Sequence, residues 1–97
     1  MIHYQFEWDE RKNRFNKKKH EISFEEAKSV FFDERALEFY DDEHSEWENR
    51  YLLLGLSCRL RMLLVCFCLR AEGSVIRIIS ARRPTKKEKH LYLEEMP

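Results

Sequence analysis

Glycine and proline are nearly missing from this chain of 97 residues, with two of each and one of the prolines in last place. Nothing therefore divides it into parts, and the sequence predicts a single domain over residues 1–97 with a modest core. The scarcity of glycine removes the Gly-rich phosphate loop and the Gly-x-Ser-x-Gly elbow, and no His-Glu-x-x-His zinc motif is present. Long apolar runs are lacking too. The run Met62–Leu69 falls far short of a membrane span, and the start, Met1-Ile-His-Tyr-Gln-Phe6, lacks the basic and apolar regions of a signal peptide. These absences predict a cytoplasmic protein that does not engage a membrane.

Cysteine is sparse and odd in number. Cys66 and Cys68 alternate along the apolar run Met62–Leu69, where an extended backbone puts both on one face. The expectation is reduced core thiols, with no disulfide framework. Neither the Cys-x-Cys spacing nor the scattered His3, His20, His44 and His90 resembles a tetrahedral zinc set, so no metal and no cofactor is expected. The acidic segment Asp41–Glu48 lacks the Gly and ligand spacing of a calcium loop and reads as a solvated connection.

Net charge is zero, yet unevenly spread. Residues 1–20 carry six Lys/Arg against three Asp/Glu, residues 21–50 three against eleven, and residues 51–97 nine against four. A basic–acidic–basic chain can fold so that its two positive ends meet in one patch, as a protein that grips a phosphate backbone requires. The alternative is a set of solvated charged faces, and a pI near 6.9 is not the signature of a strongly basic nucleic-acid binder.

Thirteen aromatic residues and 43% hydrophobic content are enough to fill a core. His3–Trp8 alternates as a strand does, and Asp9 suits the N-cap of a helix running to about His20. Ser23-Phe-Glu-Glu26 is a capping box that starts a second helix, to about Phe32. Strands are predicted at Ala36–Asp41, Asn49–Ser57, Arg61–Arg70 and Ser74–Ala81, the last two joined by a turn at Ala71-Glu-Gly73. Thr85-Lys-Lys-Glu88 is a second capping box and opens a final helix. The order β-α-α-β-β-β-β-α indicates an α+β fold with an antiparallel meander. Met62–Leu69, with few polar positions, should be central and covered on both faces, the N-terminal helices shielding one.

Chemistry has to come from polar residues that such a core does not need. Lys12, Asn16, Lys19 and His20 fall at i, i+4, i+7 and i+8, one face of the first helix, and make a cationic stripe that ends in the imidazole of His20. Asn16 could equally bridge backbone groups under the sheet. Among the strands, Arg77 stands between Ile76 and Ile78, where a guanidinium needs water, a carboxylate or a phosphate. Alternation puts Val75, Arg77 and Ile79 on one face and Ile76, Ile78 and Ser80 on the other, with Arg82 just past the strand's end. Glu48 can form an ion pair with Arg50, two residues on.

Two separated segments carry a family resemblance. The opening Phe6-Glu-Trp-Asp-Glu-Arg-Lys-Asn-Arg-Phe-Asn-Lys-Lys-Lys-His-Glu-Ile-Ser-Phe-Glu-Glu-Ala27 follows an FxWDxxKxxxNxxKHxVxFxEA pattern, Glu48 and Arg50 match a mid-chain ExR, and Ile76-Arg-Ile-Ile-Ser-Ala-Arg82 closes it. In order and interval the chain resembles the BrnT toxins. The resemblance implies a RelE-like fold and a ribonuclease of a bacterial toxin–antitoxin pair. It further implies RNA cleavage without metal, through attack of the ribose 2′-hydroxyl on the adjacent phosphate. On that reading Glu48, Arg50, Arg61, Arg77 and Arg82 are the catalytic candidates, with Glu48 as base and the arginines on the phosphorane, while Lys12, Lys19 and His20 bind RNA and Lys19 or His20 supplies the acid. The implied partner is a BrnA-like ribbon-helix-helix antitoxin that binds the operon promoter and joins the toxin in a dimer of heterodimers. A catalytically silent toxin-fold module, kept as an antitoxin partner or corepressor, is the alternative.

Overall fold

A computed structural model describes residues 4–94. Five strands and three helices follow in the order β1 (Gln5–Glu7), α1 (Glu10–His20), α2 (Phe24–Ser29), β2 (Leu37–Tyr40), β3 (Arg50–Leu56), β4 (Met62–Arg70), β5 (Val75–Arg82) and α3 (Lys86–Glu94). Local signals set the helix ends. Asp9 caps α1 by accepting from the Arg11 amide at 2.8 Å, and Ser23 caps α2 by accepting from the Glu26 amide at 3.1 Å. Thr85 and Glu88 form the reciprocal box expected for α3, with both bonds made. At α2 the box is only half made, because the Glu26 carboxylate turns away to Arg61 and Ser57. His3, placed in the first predicted strand, lies outside the described residues.

The strands form one sheet in the order β1-β5-β4-β3-β2. Strands β2 to β5 are the expected antiparallel meander, and β1 adds to its edge in parallel, pairing Gln5–Glu7 with Val75–Arg77. Helices α1 and α2 cover one face. There Phe24, Ala27 and Val30 meet Leu53, Leu63, Val65, Phe67, Ile76, Ile78 and Ala81, and each such buried side chain contributes roughly 1.5–3 kcal/mol of transfer free energy. On the other face α3 lays Tyr92 over Leu54 and Leu64 and covers only one end. Central β4 is thus not covered along both faces as its sequence suggests. Beyond α3 its Cys66 forms the floor of a cleft. Cys58, by contrast, is exposed beyond the end of β3 instead of joining the core.

Two details of packing position the rest. Gly55 of β3 lets the chain after α2 come close, since a Cβ there would stand 2.9 Å from Asp33 Oδ2. That oxygen accepts from the Leu56 amide and from the Tyr92 hydroxyl, both at 2.8 Å, and so ties α3 to the sheet. Burial alone would raise the Asp33 pKa, but these bonds outweigh it and hold the carboxyl below its usual range. The second detail is a β-bulge. Cys66 pairs with Ser80 and Phe67 with Ile78, which leaves Ile79 as an extra residue in β5. No helix among the described residues is long and apolar enough to cross a membrane.

Candidate active site

The bulge decides which way the end of β5 faces. In an unbroken strand Ser80 and Arg82 would share the core face of Ile76 and Ile78; with Ile79 inserted, Ala81 takes the core position and Ser80 and Arg82 turn to the opposite face. Ser80 is therefore not on the face that simple alternation assigns it. Arg82, the last residue of β5 and not a residue beyond it, pairs with Leu64. Asn16 of α1 holds this segment from outside. Its side chain accepts from the Ala81 amide at 3.1 Å and donates to the Ala81 and Ile22 carbonyls at 2.8 and 2.9 Å. It completes the edge of β5 where β1 has ended, which makes Asn16 a structural residue.

Arg82 then shares a cleft of about 510 Å³ with Arg50, from β3 on the other side of β4, over a floor that includes Leu52, Leu64 and Cys66. Arg50 Nε is buried and hydrogen-bonded to nothing among the described residues. Glu48 Oε1, 3.4 Å away, makes an ion pair without hydrogen-bond geometry. An orphaned buried donor is costly. Arg82 is held by α3, its two terminal nitrogens on the Glu88 carboxylate at 2.8 and 2.9 Å. The Arg82 guanidinium and the Thr85 amide pull the Glu88 pKa down to about 2, so it stays a carboxylate. Any phosphate that reaches Arg82 shares the fork with Glu88 or displaces it. Cys66 does no thiolate chemistry here, because burial pushes its pKa up to about 11.

The remaining candidates are dispersed. Arg61 lies on the helix-covered side, bonded through Nε to Glu26 Oε2 at 2.9 Å and through Nη2 to Glu26 Oε1 and the Glu21 carbonyl. Ser57 donates to the same carboxylate at 2.7 Å. Burial would raise Glu26, but the bonds from Arg61 and Ser57 prevail and lower it. Arg77 shares the cleft face of the sheet, yet it pairs with Glu7 of β1 and does not line the cleft. Glu48 does not line it either and contacts Arg70 as well, at 3.1 Å. Lys12, Lys19 and His20 do come together, in a second groove of about 710 Å³ between α1 and β5. Lys19 Nζ stands 5.8 Å above the ring of Phe15, which is 66% exposed. Both grooves are bordered by Ile79 and Ser80, so the bulge is where they meet.

The acidic connection holds what sequence reasoning passed over. Asp41 is buried, and its carboxylate contacts His44 Nδ1 at 2.9 Å at the rim of the arginine cleft. Asp41-Asp-Glu-His44 carries the one signal available, a carboxylate three residues before a histidine, which looks the same in any polar loop. Among the described residues no three His, Cys, Asp or Glu side chains are grouped so as to hold a metal ion.

The family model that describes the ribonuclease toxin BrnT of type II toxin–antitoxin systems matches residues 8–88. The chain belongs to the BrnT family. It is similar in fold to the crystal structure of the Brucella abortus ribonuclease toxin BrnT, with a TM-score of 0.66 and 21% identity over 87% of this chain and 100% of that one. No curated protein matches it. The BrnT match spans every candidate residue named above, from Lys12 to Glu88, and the α+β architecture is that of the Brucella toxin.

Proposed function

We propose that this chain is the toxin of a type II toxin–antitoxin pair and that it cuts RNA without a metal, the ribose 2′-hydroxyl attacking the adjacent phosphorus. The observation that carries this reading is the convergence of Arg50 and Arg82 on one cleft, Arg50 with a buried nitrogen that lacks a partner. A phosphorane gains negative charge on its non-bridging oxygens, and two guanidinium forks on rigid strands can meet that charge without reorganising. Lys12, Lys19 and His20 hold the flanking strand in the α1 groove, with Phe15 offering a face to a base. RNA crosses β5 at the bulge to pass from one groove to the other. Arg61 and Arg77, committed to Glu26 and Glu7, serve the fold in this reading. The partner is an antitoxin of BrnA-like, ribbon-helix-helix type that lays acidic or apolar segments over the cationic groove and forms a heterotetramer with the toxin. It alone contacts promoter DNA.

Purified protein should cleave RNA in the presence of EDTA and leave 2′,3′-cyclic phosphate ends. A single 2′-deoxy substitution at the cut site should abolish cleavage there. Folded protein that leaves RNA intact, and whose induction leaves growth unchanged, would favour the silent module instead. One observation favours that second reading: Arg50, Arg61, Arg77 and Arg82 each already face a carboxylate.

A further inference from the structure

We propose that His44 is the general acid of RNA cleavage, delivering a proton from Nε2 to the departing 5′-oxygen, and that Asp41 is its positioning residue. The proposal rests on the ribonuclease reading above and adds to it the proton donor that two arginines cannot provide.

Asp41 Oδ2 lies 2.9 Å from His44 Nδ1, which fixes the ring's orientation and leaves Nε2 to carry the transferred proton. The pair is not on a free loop. The Asp41 amide donates to the Arg50 carbonyl at 2.9 Å, while Ser45 Oγ accepts from the Arg50 amide at 3.0 Å and donates to the Asp41 carbonyl at 2.5 Å. The Asp41–Ser45 loop and the backbone of Arg50 thus belong to one hydrogen-bonded unit at the start of β3. A proton donor and a phosphate ligand need this fixed relation, because proton transfer demands hydrogen-bond reach in the transition state.

The cleft is rich in groups that can accept a proton and poor in groups that can give one. Asp41, Asp42, Glu43 and Glu88 bring acidic side chains, Glu88 with its pKa at about 2. Arginine does not release its proton, and Cys66 holds its own up to about 11. Tyr40, a phenol, donates to Asn49 Oδ1 at 2.9 Å. Among the lining residues His44 carries the imidazole, the side chain that most often serves as a general acid. Lys19 and His20, the two acids expected from the sequence, line the other groove, and His90 is exposed on α3.

The step balances as follows. The 2′-hydroxyl loses its proton to water as O2′ bonds to phosphorus, the P–O5′ bond breaks, and the imidazolium of His44 protonates O5′. A 2′,3′-cyclic phosphate and a 5′-hydroxyl leave, and water restores the proton to His44.

The test compares two substrates that differ in one atom, an oligoribonucleotide and its analogue with sulfur in place of the scissile O5′, since a thiolate departs without protonation. His44→Ala should lower kcat on the oxygen substrate about 100- to 1000-fold with KM little changed, and should cleave the sulfur substrate within about threefold of the wild-type rate. Asp41→Asn should lose about tenfold on oxygen and recover on sulfur in the same way. Because each variant is read as a ratio of two rates from one preparation, a loss of folded protein cancels. If the wild type cleaves both substrates and His44→Ala is equally impaired on both, His44 is not the acid and the proposal fails. If the wild type cleaves neither, the ribonuclease reading itself is overturned.

Discussion

Arg61 and Arg82 each meet a glutamate carried by a helix, one pair on either face of the sheet. Glu26 is 4% exposed at its side chain and Arg61 20%, whereas Glu88 is 29% exposed and Arg82 43%. On the helix-covered face the carboxylate also binds Ser57, and the guanidinium reaches the Glu21 carbonyl, so every contact points inward and closes the turn after β3 against α2. On the cleft face the pair opens onto solvent and stands across from the unsatisfied Arg50. The same chemical pair is a fastening where water cannot compete and an exchangeable contact where it can.

Three measurements would break or sharpen that comparison. Arg82→Ala should cost roughly 2–4 kcal/mol in the cleavage barrier, about 30- to 1000-fold in rate, while an ion pair this exposed contributes only about 1 kcal/mol or less to stability. Arg83→Ala is the control, its exposed side chain lying outside the cleft lining. Wild-type turnover by Arg82→Ala in a ribonuclease assay would reduce Arg82 to an anchor for α3. Arg61→Ala should do the reverse. Stranding the Glu26 carboxylate should destabilise by about 3 kcal/mol and lower the melting temperature by roughly 15 °C, with turnover per folded molecule unchanged. Lost turnover in well-folded Arg61→Ala would return Arg61 to the catalytic set.

The smallest effect concerns Glu88→Gln. The Glu88 pKa is held down to about 2 from its ordinary 4.5, chiefly by Arg82, so its charge stabilises the fold above pH 4.5 and ceases to do so as pH falls through about 2. The variant should melt about 4 °C below wild type at neutral pH, a deficit that closes between those two pH values. It should also bind RNA more tightly, because phosphate no longer competes for Arg82. A deficit independent of pH would mean that Glu88 acts through the cap of α3 alone.

What could be read along the chain was what neighbours in sequence decide. The Asp9 and Thr85 caps, the five strands and the turn before Val75 depend on residues within a few positions of one another, and they appear where expected. Of the site, the α1 stripe of Lys12, Lys19 and His20 was legible for the same reason, since helical spacing puts these residues on one face. Glu26 misled, because a carboxylate at the third helical position looks like half of a box until Arg61, 35 residues on, claims it. Asp41 and His44 gave no warning either. A loop's charge can be counted from sequence, but whether one of its carboxylates is buried depends on the strand it docks against.

By itself, then, the sequence determined the elements, their order and the family, because periodicity, capping and motif spacing are properties of the chain taken in order. Only the tertiary structure decided which arginines face the cleft. A strand's side chains alternate with a period of two, so one extra residue reverses every assignment beyond it, and Ile79 is that residue. The inserted position is supported by Asn16 bonding both backbone groups of Ala81 across a separation of 65 residues, a contact that exists only once α1 has packed on the sheet.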